Sequence, residues 1–373
     1  MPENTEYRPG LEGVIAAETS ISYLDVEHEE IVIRGYDLIQ LARTVSYLDV
    51  AHLLLHGWLP SVEESAAWAR EIAQVDLGAD RIVPLVDEMG PQMHMMDWLR
   101  TAVSVMGTWD PDVGREDPDA TLAQGRRLLA TLPTVLAQGY RRRQHLPVIV
   151  SDPGLGYAAN FLHMITGTEP TPAQARAFDQ LLTVYIEHEM PNSTFAAIVI
   201  SSTLADLYGA LTGAVASLKG RLHGGANEAV MHMLFEVGNP AKMRPYLEEK
   251  LARKERIMGF GHRVYMRRPD PRAVLMKELL TDLVKSAGRQ DLYDLCVAGE
   301  EAMYDLKGLY PNLDYYAAPV YYLLGVPIEL YTPIFFAART AGLVAHVREQ
   351  YAQNRLFRPR VRYIGPRGLT VTR

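Results

Sequence analysis

Cysteine is nearly absent from this 373-residue chain: Cys296 stands alone, which excludes an internal disulfide framework and a thiolate metal cluster and points to a reducing compartment. Positive charge is not in excess either. With 37 Lys and Arg against 45 Asp and Glu, the net charge is -8 and the pI is near 5.8, so no whole-chain footprint for nucleic acid or anionic membrane is expected. Long apolar runs are missing. The nearest approach, Thr194 to Leu218, is broken by Ser201, Ser202, Thr203, Asp206, Thr212 and Ser217, and reads as a buried or subunit-interface helical stretch rather than a membrane span. Met1 to Gly10 carries neither the basic nor the apolar part of a secretory signal, so a cytoplasmic location is expected. Glycine-rich phosphate loops of the Walker or dinucleotide type are lacking. So is the strand-helix alternation of a doubly wound sheet or a barrel, which leaves an all-α fold as the expectation.

The 48% hydrophobic content is ample for a large buried core, in one unit or two. Short strands or a hairpin are predicted between Val14 and Ile33, where Ile21, Tyr23, Ile31, Val32 and Ile33 cluster. Beyond them the period is helical. The segment 47–56 should end at Gly57 and the segment beginning near Trp98 at Gly107, and the acidic, proline-marked stretch Thr108 to Pro118 reads as a loop. A small-residue helix stops near Gly220 to Gly225, a more charged stretch follows to about Gly325, and the apolar pattern then resumes. The expected division is therefore 1–225 with 326–373 against 226–325.

Chemistry-bearing residues stand out against this helical background. His188 follows the apolar run Leu181 to Ile186 and precedes Pro191, which interrupts the helix before Ser193 or Thr194 could cap the next one. Taken alone it reads as a core or helix-end histidine. The pair His188-Glu189 is no zincin motif, because Asn192 stands where a second histidine is needed. His223 sits before Gly224-Gly225, with Asn227-Glu228 opening a new helix. A helix N-terminus near the ring favours neutral imidazole, able to donate to a carbonyl oxygen as charge develops on it. His262 lies between Gly261 and Arg263, in a stretch where Lys250 to Arg272 holds eight Lys or Arg against Glu255 and Asp270. That local excess suggests phosphate or carboxylate recognition. Arg339 falls in an apolar segment, Pro333 to Val347, and a buried guanidinium demands a carboxylate from protein or ligand. The tail beyond Gln350 carries six arginines and no acid.

The order of these motifs resembles the citrate synthase family, including the 2-methylcitrate synthases, over nearly the whole chain. The resemblance begins with Arg34-Gly35-Tyr36-Asp37 and His94-Met95-Met96-Asp97, then Leu218 to Glu228 and Gly259-Phe260-Gly261-His262-Arg263. It ends with Pro311-Asn312-Leu313-Asp314, Tyr331 to Phe335 with Arg339, and Arg358-Pro359-Arg360. The resemblance implies an acyltransferase of the tricarboxylic acid cycle that converts acyl to alkyl, condensing acetyl-CoA with oxaloacetate and hydrolysing the bound thioester to citrate and CoA. No cofactor or metal is implied, acetyl-CoA being a co-substrate. Asp314 would remove a proton from the acyl methyl, His223 would hydrogen-bond the thioester oxygen, and His262 would protonate the oxaloacetate carbonyl.

By the same matching, His188, His223, His262, Arg272, Arg339 and Arg358 would bind the dicarboxylate, Arg358 coming from the neighbouring subunit of a homodimer. The CoA contacts would be Arg256, Ile257, Met258, Gly259 and Gly261, with Arg267 or Arg268 on phosphate and Lys307 beside them. Four residues, 266–269, separate the Val-Tyr and Asp-Pro-Arg signatures where three are expected, so both Arg267 and Arg268 stay candidates. The implied architecture is a large helical domain built from both chain ends and a smaller one closing over the cleft. Propionyl-CoA is the alternative acyl donor. A metal-dependent hydrolase and a non-catalytic CoA-binding helical protein are the readings from other classes.

Overall fold

A computed structural model describes residues 7–25, 27, 28, 30–261 and 268–371. Among them are sixteen α-helices and one small antiparallel meander of β1 (Ser22–Asp25), β2 (Glu30–Ile33) and β3 (Tyr36–Asp37), so the all-α expectation and the early hairpin both hold. Ser22 pairs with Ile33 and Val32 with Asp37. Alternation along β1 buries Ser22 and Leu24 and turns Tyr23 outward, which brings a serine hydroxyl into the interior.

Most helix starts are written in the sequence. Ser46 with Asp49 and Thr171 with Gln174 form capping boxes, and Asp117, Asp270 and Asn312 accept from backbone N–H groups of the helices that follow them. The acidic loop after Trp109 is tied down by Arg127, whose Nη atoms reach Asp110 and Asp112, both at 2.7 Å. Gly57 ends its helix in the left-handed region as expected, at φ 98°.

Gly107 does not end a helix. The helix Met95–Trp109 runs through it, because its role is packing: a Cβ there would lie 2.7 Å from Cβ of Tyr208 on the adjacent helix Leu207–Lys219. The capping expectation at 193 and 194 also fails. Pro191 is the N-cap of helix Asn192–Ser201 and offers no side-chain cap, while Ser193 lies inside the first turn.

The stretch Thr194 to Leu218 forms two helices packed on each other, Asn192–Ser201 and Leu207–Lys219. No helix among the described residues is long and apolar enough to cross a membrane. The C-terminal helix Tyr331–Ala352 lies against Pro118–Arg143 and Asn192–Ser201. Further helices meet around Leu313–Leu323, which receives Pro271–Ala287 on one side and Ala226–Val237 on the other. A buried apolar cluster running from Ile21 to Val347 holds these layers together.

Candidate active site

The site is built from the helix Tyr331–Ala352, the turn at 186–191, the first turn of helix Asn192–Ser201, and the loops around 223, 259 and 312. Arg339 is 3% exposed in the middle of its helix. Its Nε donates to the carbonyl oxygen of Tyr185, and the guanidinium lies 4.8 Å over the Phe335 ring. Among the described residues no carboxylate approaches within ion-pair distance of it. Burial pulls its pKa down to about 10, even with Glu187 and Asp314 opposing that shift. A cation held this way feels Glu187 and Asp314 only at a distance and makes no direct ion pair among the described residues.

Helix Pro172–Tyr185 delivers the next groups by stopping where it does. The turn after it contains Glu187, fully buried, then His188, 8% exposed, then Glu189 at φ 61°, a left-handed conformation that few non-glycine residues adopt. Glu187 Oε1 accepts from the Ser22 hydroxyl at 2.9 Å and sits 3.1 Å from His346 Nε2, and Glu189 N–H donates to the same Ser22 oxygen. Burial raises the Glu187 carboxyl, but His346, Arg339 and Ser22 outweigh it and hold the group below its ordinary value. The turn that carries His188 is therefore anchored on both flanks.

His223 occupies the loop after helix Leu207–Lys219. Its Nε2 accepts the backbone N–H of Ser193 at 3.1 Å and lies 2.9 Å from the Ser193 hydroxyl. That N–H is one of the first-turn donors with no partner inside its own helix. A ring nitrogen that accepts a backbone N–H carries no proton, so the neutral ring holds its hydrogen on Nδ1. Burial and the Arg339 charge lower the His223 pKa to about 4. Burial and Arg339, rather than the helix that starts at Ala226, keep the ring neutral, and the N–H that Nε2 accepts comes from the first turn of helix Asn192–Ser201.

Asp314 stands in the first turn of helix Leu313–Leu323. Asn312 places it twice over: its Oδ1 accepts from Asp314 N–H at 3.1 Å, and its Nδ2 donates to the Gly261 carbonyl at 3.0 Å. Asp270 ties the neighbouring helix start to the same point, taking Leu313 N–H at 3.1 Å while it pairs with Arg272 through Nε at 3.0 Å and Nη2 at 2.8 Å. Arg272 and Asp270 are both buried. Tyr185 donates its hydroxyl to Asp314 Oδ1 at 3.0 Å. Burial raises the Asp314 pKa, and neither the Tyr185 hydrogen bond nor the charges of Arg272 and Arg339 cancel that rise.

The glycine-bearing loop is clamped against Asp314's own loop. Gly261 N–H donates to Tyr310, Asn312 N–H donates to Gly259, and Phe260 bridges to Pro311. Within it Ile257 and Met258 are half-buried, whereas Arg256 and Arg268 are exposed. Lys307 ends helix Gln290–Lys307, exposed, two residues before Leu309, which packs beside Gly261. His262 and Arg267 lie outside the described residues. Arg358 is exposed in the tail, with no hydrogen bond or ion pair among the described residues. The tail is fixed nearby by Phe357, whose N–H donates to Ser202 and whose ring meets Phe195.

Four contributors escape a sequence reading. Tyr185 and Glu187 hide within or beside an apolar run, Ser193 imitates a cap, and Ser22 comes from a strand far away in the chain. Only Glu187, an acid inside a buried stretch, leaves a signal.

Residues 10–360 match the family model described as "Citrate synthase, C-terminal domain", and the chain belongs to the citrate synthase family. It is 55% identical to a citrate/2-methylcitrate synthase of Bacillus subtilis (strain 168), over 98% of this chain and 99% of that one. It is 51% identical to a citrate synthase of Heyndrickxia coagulans over the full length of both. Among solved structures, the citrate synthase of Thermoplasma acidophilum, in ternary complex with carboxymethyl coenzyme A and oxaloacetate, superposes with a TM-score of 0.91 at 29% identity, covering 98% of each chain.

Proposed function

We propose that this chain condenses acetyl-CoA with oxaloacetate and water to give citrate and CoA. The observation that carries the reading is Arg339, a buried guanidinium without a paired carboxylate among the described residues, beside a neutral imidazole and a carboxyl of raised pKa. Such a cation suits one carboxylate of a dicarboxylic substrate, with His188, Arg272 and His262 as further ligands. Asp314 takes a proton from the methyl group next to the thioester. The negative charge that develops on the thioester oxygen is met by Nδ1–H of His223. The resulting carbon attacks the oxaloacetate carbonyl, whose oxygen receives a proton from His262, and water then cleaves the bound thioester to release CoA as a thiol. Acid-base help of this kind supplies roughly 10² to 10⁴-fold, and an oxyanion donor about 10² to 10³-fold.

Residues 226–325 would form the smaller domain, closing over the cleft to exclude water when oxaloacetate binds. The acyl-CoA would lie along Arg256 to Gly261, with Arg267, Arg268 and Lys307 toward its phosphates. A homodimer would complete each site with Arg358 of the other subunit. This is supported by the strongly exposed apolar side chains of the tail, among them Val361, Ile364 and Val371. Propionyl-CoA is the second acyl donor to consider, because the Bacillus subtilis relative carries both names.

The test is release of free thiol from acetyl-CoA, in chelator, only when oxaloacetate is added. Hydrolysis without oxaloacetate, or a requirement for added divalent metal, would overturn the reading. Comparing kcat/KM for acetyl-CoA and propionyl-CoA fixes the acyl donor. For the shared site, mixing inactive Arg358→Ala and Asp314→Ala variants should restore activity, since one site of each mixed dimer is intact. Mixtures that stay inactive after subunit exchange would remove Arg358 from the partner's site.

A further inference from the structure

We infer that Tyr185 is a positioning residue for the base: its hydroxyl fixes Asp314 Oδ1 and leaves Oδ2 to meet the substrate proton. The inference rests on Asp314 being the base.

Three buried tyrosines stack in a row here, Tyr185 on Tyr321 at 6.3 Å and Tyr321 on Tyr331 at 4.6 Å between ring centroids. They supply an internal control. The hydroxyls of Tyr321 and Tyr331 are buried without a hydrogen-bond partner among the described residues, as befits rings retained for packing. Tyr185 alone of the three aims its hydroxyl at an acid, at 3.0 Å. The ring cannot turn away, because it is fully buried, Phe335 meets it edge-on at 4.6 Å, and its own carbonyl takes the Arg339 Nε bond. Asn227 Nδ2 lies 3.5 Å from the hydroxyl oxygen on the side of helix Ala226–Val237, placed to direct the O–H toward Asp314.

Tyr185 holds Asp314 Oδ1, and among the described residues Oδ2 has no hydrogen bond. Two consequences follow. A carboxylate anchored at one oxygen keeps a single orientation toward the methyl proton, which is where positioning contributes to rate. A donor on the ionised form also favours that form, opposing burial. Among the described residues, the charged and titratable groups facing Asp314 are Arg272 and Asp270 at the start of helix Pro271–Ala287, Arg339 on the C-terminal helix, Tyr321 on Asp314's own helix, and Tyr185. Of these, Tyr185 is the one whose donor can be deleted at constant shape and charge.

The experiment compares Tyr185→Phe with Tyr321→Phe in full pH profiles of kcat, with melting temperatures for both. Deleting the Tyr185 hydroxyl removes a bond to the ionised carboxyl, so the acid limb should move up by about one pH unit and kcat should fall about tenfold or more. KM for oxaloacetate should change less than threefold. Tyr321→Phe should leave the acid limb in place. Difluorotyrosine at 185, a stronger donor of the same shape, should move the limb toward lower pH. An acid limb that does not move in Tyr185→Phe, with kcat within twofold, would overturn the role of Tyr185. Asp314→Asn is run alongside to separate the two readings. If it keeps full turnover the base assignment itself falls, whereas an inactive Asp314→Asn beside a normal Tyr185→Phe removes only the positioning role.

Discussion

The two ends of the proposed site both hold arginine, in opposite physical states. At the inner end Arg339 is 3% exposed, desolvated and in direct contact with no carboxylate among the described residues, while the nearby Glu187 is held by His346 and Ser22. At the outer end Arg256, Arg268 and Lys307 stand in water, where attraction is screened and individual contacts are weak. In the proposed site, that difference in burial would separate two tasks. The desolvated cation would discriminate, since only a ligand that brings a carboxylate to it relieves the cost of its burial. The solvated cations would collect a large, highly charged ligand without demanding one geometry.

The sharpest way to break this contrast is Arg339→Met. Removing two or three charge-assisted hydrogen bonds, each worth about 1.5 to 3 kcal/mol, should lower kcat/KM for oxaloacetate by roughly 10³-fold or more. The same change deletes an uncompensated buried charge, so the ligand-free protein should melt at the same temperature or higher, while oxaloacetate should no longer raise it. Steady-state kinetics and paired thermal melts measure both. A variant that melts far lower without ligand would show that Arg339 is a structural ion-pair member after all.

Glu187→Ala tests the compensated neighbour and should do the reverse. Breaking a buried pair by removing one partner costs about 3 to 5 kcal/mol, so the denaturant midpoint should fall steeply and activity should be lost through instability. Because the Glu187 carboxyl is held below its ordinary value, its contribution is complete above pH 4.5 and disappears as pH falls through the folded-state value. The stability gap between wild type and Glu187→Ala should therefore narrow below pH 4.5. A gap that is flat with pH would mean that His346 is not what stabilises the carboxylate.

These two residues also mark how far the sequence could be read. The helices, most of their caps, the early hairpin and the burial of Arg339 are local or periodic signals, and these hold in the structure. Gly107 misleads because glycine has two uses, ending a helix and admitting a neighbour, and only the position of Tyr208 decides between them. Ser193 misleads likewise: a serine two residues past a proline looks like a cap, yet its N–H serves His223 from 30 residues away. Tyr185 gave no signal, since a tyrosine in an apolar run differs from a packing tyrosine only by what its hydroxyl meets. The Asp314 carboxylate it meets is 129 residues further along the chain.

Between the two ends lies the loop that joins them, and Gly259→Ala probes it. Gly259 has φ 88°, and a Cβ there would lie 2.6 Å from Val230 Cγ2 and 3.0 Å from Tyr315 Cδ2, neither of which is a flexible chain end. The strain, about 1 to 3 kcal/mol, falls on the segment that hydrogen-bonds Asn312. Both KM for acetyl-CoA and kcat should worsen by about ten- to a hundredfold, measured against a folded control by circular dichroism. Loss of acyl-CoA binding alone would mean that the loop and Asp314 move independently.

The smallest effect belongs to the outer cations, and its signature is salt rather than magnitude. Arg256→Ala should raise KM for acetyl-CoA only a few-fold, because an exposed guanidinium contributes about 1 kcal/mol or less. Raising ionic strength from 0.05 to 0.5 M shortens the screening length from roughly 14 to 4 Å, so KM for acetyl-CoA should climb in wild type and climb less in Arg256→Ala. KM for oxaloacetate should respond far less, since Arg339 is out of reach of mobile ions once the site is occupied. Equal salt slopes for the two substrates would erase the distinction between a buried and a solvated arginine, and with it the reason for building one site from both.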